Sequence, residues 1–281
     1  MIKRKTVMHP QPSQKNMKIL EALYSSEKFS KLEIETKKLI KKYPNVPTLL
    51  NILGFALHKQ GHLSAAVINY EQAIFIDPKF VFAHNNLGNV FKDLGKFNEA
   101  ISKYQDSIKL NPNYAEAYYN KALVYKKMHK YNESIESFQY ALKIKPDYLE
   151  AYFDLGFMFI TVSKFKEAIE NFQKTINLKP DFSSAYSNIL FTLLYLEEYD
   201  PEYYFSQTKK FISSLDPIND DLLPKYQFNI KPKKLKIGFI SGDFKQHPIG
   251  YFLLNTLKHL KKKRFRASCI LKLSEKRRLK Y

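Results

Sequence analysis

The sequence predicts an all-α superhelix of helical hairpins, followed by a short incomplete α/β segment. Three observations carry this. A proline recurs every 34 residues, at Pro44, Pro78, Pro112, Pro146 and Pro180. Between the prolines, apolar residues return at helical spacing, as in Ala66, Tyr70, Ala73 and Ile74. From Lys231 the composition changes, and LKIGFI (235–240) reads as a strand.

A fixed 34-residue period is the signature of tetratricopeptide (TPR) repeats, each a pair of antiparallel helices. With the proline at position 32, repeats open at Ser13, Pro47, Val81, Ala115 and Leu149, and a sixth opens at Ser183. The predicted array spans residues 13–196. Position 8 is small (Gly54, Gly88, Ala122, Gly156), where the two helices of a hairpin approach closely. Position 20 is its small partner on the second helix (Ala66, Ala100, Ser134, Ala168). Position 24 is a ring: Tyr70, Tyr104, Phe138 and Phe172. Position 17 is bulky and opens the second helix (Phe29, Leu63, Phe97, Tyr131, Phe165), and position 28 is Ile or Leu. Gly61 and Gly95 mark the turn inside the hairpin, and the recurrent proline ends the second helix. The first repeat carries Leu20 and Leu32 where small residues are expected, so residues 13–46 read as a capping unit.

The net charge of +19 over 281 residues suggests nucleic acid until it is located. Residues 1–44 carry +7 and residues 231–281 carry +14, whereas residues 45–230 sum to −2. The excess lies at the ends, including the basic tail 1–12, and reads as solvated lysine rather than a nucleic-acid face. The chain is 44% hydrophobic and 15% aromatic, ample for a core. No apolar run approaches the ~18 residues of a membrane span. No apolar stretch follows the basic MIKRKTVMHPQPSQKN, so no signal peptide is expected. The single Cys269 fits a reducing, cytoplasmic setting.

Stacked hairpins line one wall with first-helix residues. Position 6 of that helix reads Ile52, Asn86, Asn120, Asp154 and Asn188. An amide offers both a donor and an acceptor, so such a row can bind the backbone of an extended peptide. This makes Asn86, Asn120, Asp154 and Asn188 the candidate peptide-binding groove, with client proteins or extended peptides as partners. Asn85, Asn89, Lys92, Lys126 and Lys127 are candidate additional contacts. The same residues also suit a solvated wall, and the periodicity leaves both readings open. His58 and His62 are four apart, but Gly61 interrupts the helix between them, so no metal site is expected. No phosphate-binding glycine loop appears.

After the sixth first helix the period fails. Residues 197–230 read as a helix with Asp200 as N-cap and Pro201 at its first position, then a Pro/Asp-rich linker. Residues 231–281 read as strand (235–240), loop, helix (251–260) and strand (266–273), one βαβ unit. The stretch LKIGFISGDFKQHPIGYFL (235–253) resembles the opening of the catalytic domain of TPR-bearing protein O-GlcNAc transferases, whose plan SPINDLY-type fucosyltransferases share. SNILFTLLYLEEYDPEYYF (187–205) resembles that family's transition from repeats to catalytic domain. The resemblance implies sugar transfer from a nucleotide-sugar to Ser/Thr of client proteins recruited by the repeats. UDP-GlcNAc would then be the donor substrate, with no cofactor in this chain. It matches His247 to the family's active-site histidine, with Asp243 and Pro248 beside it. Most of that family's catalytic region has no counterpart here, and the tail RASCILKLSEKRRLKY alternates and then turns basic. The expectation is a transferase truncated early in its catalytic domain, with the frame lost near Arg266. The alternative is a non-catalytic TPR scaffold for protein–protein interaction.

Overall fold

The computed structural model describes residues 11–196, 201–214, 235–241 and 265–271. The chain divides into two units, Met1–Pro217 and Ile218–Tyr281.

Twelve described helices build the first unit, and their starts keep the 34-residue step. First helices of the hairpins are α1 (Gln14–Ser25), α3 (Pro47–Lys59), α5 (Val81–Asp93), α7 (Ala115–Lys127), α9 (Leu149–Thr161) and α11 (Ser183–Leu193). Second helices are α2 (Phe29–Lys42), α4 (Leu63–Ile76), α6 (Phe97–Leu110), α8 (Tyr131–Ile144) and α10 (Phe165–Leu178). The bulky residue at position 17 is the first residue of every one of these second helices. The twelfth, α12 (Pro201–Ser214), packs on α11 through Tyr204 and Phe211. The stack thus continues past Leu196, with α12 in place of the sixth second helix.

The small residues at positions 8 and 20 exist to admit the ring at position 24. A Cβ added at Gly54 would lie 2.8 Å from the Tyr70 ring, at Gly88 2.7 Å from Tyr104, and at Gly156 2.6 Å from Phe172. All four rings are fully buried. Truncating such a side chain to alanine costs about 3–5 kcal/mol. Where position 20 is Ser134, its hydroxyl donates to the Ala122 carbonyl at 2.9 Å, so the polar atom is satisfied inside the hairpin. The first repeat reverses the sizes. Leu20 and Leu32 fill the space, and position 24 shrinks to Thr36, whose hydroxyl donates to the Leu32 carbonyl at 2.6 Å.

Each hairpin turn closes with paired backbone hydrogen bonds. In the second repeat His62 N–H donates to Leu57 O and Gly61 N–H to His58 O, both at 2.9 Å. This is the Schellman arrangement, which needs a left-handed residue after the helix. Position 15 takes that conformation in five successive repeats: Glu27, Gly61, Gly95, His129 and Ser163 have φ between 54° and 80°. Between repeats, Asp77 and Asn111 side chains accept from the N–H groups of Lys79 and Asn113 at 3.1 Å, tightening the connection around the recurrent proline.

In the second unit, β1 (Leu235–Ser241) and β2 (Phe265–Leu271) pair in parallel, in register from Leu235 opposite Phe265 to Ser241 opposite Leu271. A parallel pair requires a crossover connection. The residues supplying it, including the helix expected over 251–260, lie outside the described residues. The second strand sits slightly earlier than the 266–273 expected from sequence. Among the described residues this unit has two strands, fewer than a doubly wound dinucleotide-binding sheet contains.

Candidate functional site

First helices of successive repeats lie side by side, α3 against α5 and α5 against α7. Their non-core side chains form one wall, and side-chain hydrogen bonds cross it at a constant offset. Asn86 Nδ2 donates to Asn51 Oδ1 at 3.0 Å, and Asn120 Nδ2 donates to Asn85 Oδ1 at 3.1 Å. At the next step Tyr119 OH donates to Asp154 Oδ2 at 2.9 Å. Each bond joins position 5 of one repeat to position 6 of the next. At the last step Phe153 offers no polar atom, and the Asn188 side chain has no hydrogen bond among the described residues; its carbonyl accepts from Thr192.

The candidate row is therefore half committed to the array itself. Asn86 and Asn120 each commit a donor to the preceding repeat. Their Oδ1 atoms have no partner among the described residues, so a passing peptide N–H can be received there. Asp154 also accepts from Lys126 Nζ at 2.9 Å, so the break in the amide row is an ion pair bridging repeats. Burial, with the Asp154 carboxylate adding to it, raises the Tyr119 hydroxyl far above the usual phenol range, keeping it a neutral donor.

Among the other candidates, Asn85 is buried beneath Asn120, and Asn89 Oδ1 accepts from Tyr104 OH at 2.8 Å. Lys127 is exposed. Lys92 is mostly covered, and burial lowers its ammonium pKa. His58 Nε2 sits 2.7 Å from Asp93 Oδ2 on the next first helix. Among the described residues no group of three or more His, Cys, Asp or Glu side chains could hold a metal ion. His247, Asp243 and Pro248 lie outside the described residues.

The sequence pointed to position 6 and named Asn85 only as an additional contact, not as the partner of Asn120; it missed Asn51, Tyr119 and the His58–Asp93 pair. One signal could have found them: polar residues recurring at a separation of 35, one repeat plus one residue.

No helix among the described residues is long and apolar enough to cross a membrane. A family model described as TPR repeat matches residues 54–95 and 88–129, and one described as tetratricopeptide repeat matches 115–148. Among solved structures the chain is similar to MamA, at 26% identity and a TM-score of 0.52, covering 58% of this chain and 94% of that one. It is also similar to YrrB, described as a TPR protein with an unusual peptide-binding site (20% identity, TM-score 0.52, 64% and 91% covered). A third likeness is to a thermophilic TPR protein of Thermus thermophilus (19% identity, TM-score 0.55, 64% and 98% covered). No curated protein matches the chain in sequence. Period, packing and these likenesses agree: residues 54–148 consist of TPR repeats, and the flanking hairpins continue the same fold.

Proposed function

We propose that this chain is a TPR scaffold that holds an extended segment of another polypeptide along its wall of first helices. The observation that supports it is the row of bridged amides. The inter-repeat bonds fix Asn86 and Asn120 with an acceptor open to the wall, one repeat apart. Fixed acceptors lose little entropy on binding, which is what backbone recognition requires. YrrB, built on the same fold, has a peptide-binding site, though that likeness is one of fold.

The test uses the full 281-residue chain. Hydrogen exchange in the presence of a bound peptide should gain protection on α5 and α7. The Asn86→Ala, Asn120→Ala double variant should bind about 10- to 30-fold more weakly, as loss of two hydrogen bonds of about 1 kcal/mol each implies. Its circular dichroism reports whether the stack survives loss of the two bridges. Protection confined to second helices, or unchanged affinity in a folded double variant, would sink the amide-row reading.

One observation keeps a second reading in view. The parallel pairing of β1 with β2 is the arrangement that an opening catalytic segment of an O-GlcNAc-type transferase would need. On that reading the repeats present clients to a glycosyltransferase, UDP-GlcNAc is the donor, and His247 lines the cleft as an acid–base or phosphate-binding group. Calorimetric titration of UDP-GlcNAc into the chain separates the two. Saturable binding favours the transferase reading; its absence, with peptide still bound, favours the scaffold.

A further inference from the structure

The wall changes character along its length. Over the second to fourth repeats it is cationic. Lys59, Lys92 and Lys127 occupy the last turns of α3, α5 and α7. Cations are favoured at helix C-termini, which accounts for their presence but not for the burial of Lys92. The Lys92 side chain is 19% exposed, and its nearest carboxylate oxygen, Asp93 Oδ1, is 4.0 Å away. The other Asp93 oxygen is 2.7 Å from His58. An ammonium carries three donors, and no acceptor reaches this one among the described residues. Burial depresses its pKa, and Lys127 and Lys59 depress it further against the partial support of Asp93. Lys126 differs, because Asp154 already neutralises it at 2.9 Å.

Over the fifth and sixth repeats the same wall is mainly apolar, its polar groups including Asp154, Asn188 and the Lys126 ammonium 5.7 Å from the Phe157 ring centroid. The last turns of α9 and α11 carry no basic residue. Phe157 stands one repeat beyond Leu123, and Phe191 and Leu194 are 51% and 60% exposed. Exposed apolar surface set next to a polar stretch marks an interaction site.

Building on the scaffold reading, we propose that the ligand is an extended peptide that sets a carboxylate against Lys92 and Lys127 and apolar side chains against Phe157, Phe191 and Leu194. Lys92 is desolvated before binding, so the ion pair it forms carries a smaller desolvation cost than a surface pair would. First helices about 8–10 Å apart span about three residues of extended chain. The carboxylate, between Lys92 of the third repeat and Lys127 of the fourth, therefore stands about four to five residues from the apolar side chain on the fifth repeat and about seven to eight from that on the sixth. Single-stranded nucleic acid also binds cations and rings, but it brings a phosphate at every nucleotide. This wall offers cations over only half its length.

The test is fluorescence anisotropy on the full chain with labelled twelve-residue peptides in a Ser/Thr background. One pair carries two adjacent Asp with Leu and Phe about five and eight residues away, made in both chain directions. Control peptides replace Asp by Asn or both apolar residues by Ser, and an oligothymidylate of twelve residues is the nucleic-acid probe. The expected result is that one direction of the Asp peptide binds at least 10-fold tighter than its Asn and Ser controls. Lys92→Gln should remove the Asp preference without weakening the Asn control, and 0.5 M salt should do the same. Equal binding of Asp and Asn peptides, or of apolar and Ser peptides, overturns this inference and leaves the scaffold reading standing. Tighter binding of the oligothymidylate overturns the inference in favour of nucleic acid. Binding of no probe at all removes both this inference and the scaffold reading it rests on.

Discussion

Tyr70 and Tyr104 occupy position 24 of successive repeats, and both hydroxyls are buried. Tyr104 donates to Asn89 at position 9 of its own repeat. Position 9 of the preceding repeat is Phe55, and the Tyr70 hydroxyl has no partner among the described residues. Where the ring is Phe138 or Phe172, position 9 is Leu123 or Phe157, and no polar atom needs one. Burial drives both phenols far above their ordinary pKa, so each stays protonated, and only the hydrogen bond separates them. The same substitution should then have opposite signs. Tyr70→Phe removes an unpartnered polar group and should stabilise by about 1 kcal/mol, whereas Tyr104→Phe should destabilise by a similar amount. Thermal unfolding should shift up and down by about 2–4 °C respectively. Two shifts of the same sign would show that the Tyr70 hydroxyl is satisfied. The periodicity gave the rings but not this difference, because it turns on one side chain fifteen residues away.

At the scale of the helical hairpin, position 15 is left-handed in five repeats, yet only two of them place glycine there. That conformation costs a residue with a Cβ roughly 1–2 kcal/mol. A Cβ added at Gly95 meets nothing within 4 Å, so Gly95→Ala isolates the backbone term and should destabilise by about 1 kcal/mol. Ser163 has φ of 57°, and its side chain makes no hydrogen bond among the described residues. Ser163→Gly should therefore stabilise by about 0.5–1 kcal/mol after the extra entropy glycine loses on folding. His129→Gly should gain less, because His129 Nδ1 is 2.7 Å from Tyr131 OH. Urea midpoints of the three variants check this, and a destabilised Ser163→Gly would refute it. Composition marked the turn only at Gly61 and Gly95. Elsewhere the Schellman hydrogen bonds impose the geometry on Glu27, His129 and Ser163, and only the repeat register reveals it. The candidate groove was half legible for a similar reason. Asn86 and Asn120 show in the period, but pairing them with Asn51 and Asn85 needs the one-residue offset between stacked first helices, which no single repeat contains.

Across the whole array, each hairpin packs only on its neighbours, so local stability should follow the local core. That core is uneven. The largest continuous cluster runs from Ala115 to Leu193 through Phe138, Leu155 and Phe172. Toward the N-terminus it divides into smaller groups, such as that of Leu20, Leu32 and Leu49, joined through half-buried Ile40 and Ile74. At the N-terminal end α1 leans mainly on α2, with the Tyr24 ring 4.7 Å from that of Phe55 on α3, and leaves Ile19 and Tyr24 44% and 50% exposed. At the other end α12 leans on α11, with Gln207 Oε1 buried and unpartnered among the described residues. Native-state hydrogen exchange should therefore be slowest in α7 to α10 and fastest in α1 and α12, with α3 to α6 between. Protection that is equal across all twelve helices would mean the array opens as one cooperative block, and the nearest-neighbour account would fail. The gradient also bears on function, because the apolar half of the wall runs from α9, among the most protected helices, to α11, which packs beside the fast-exchanging α12. A peptide seated there should raise protection in α11 more than in α9, since α11 starts from the lower stability and has more to gain from a covered face.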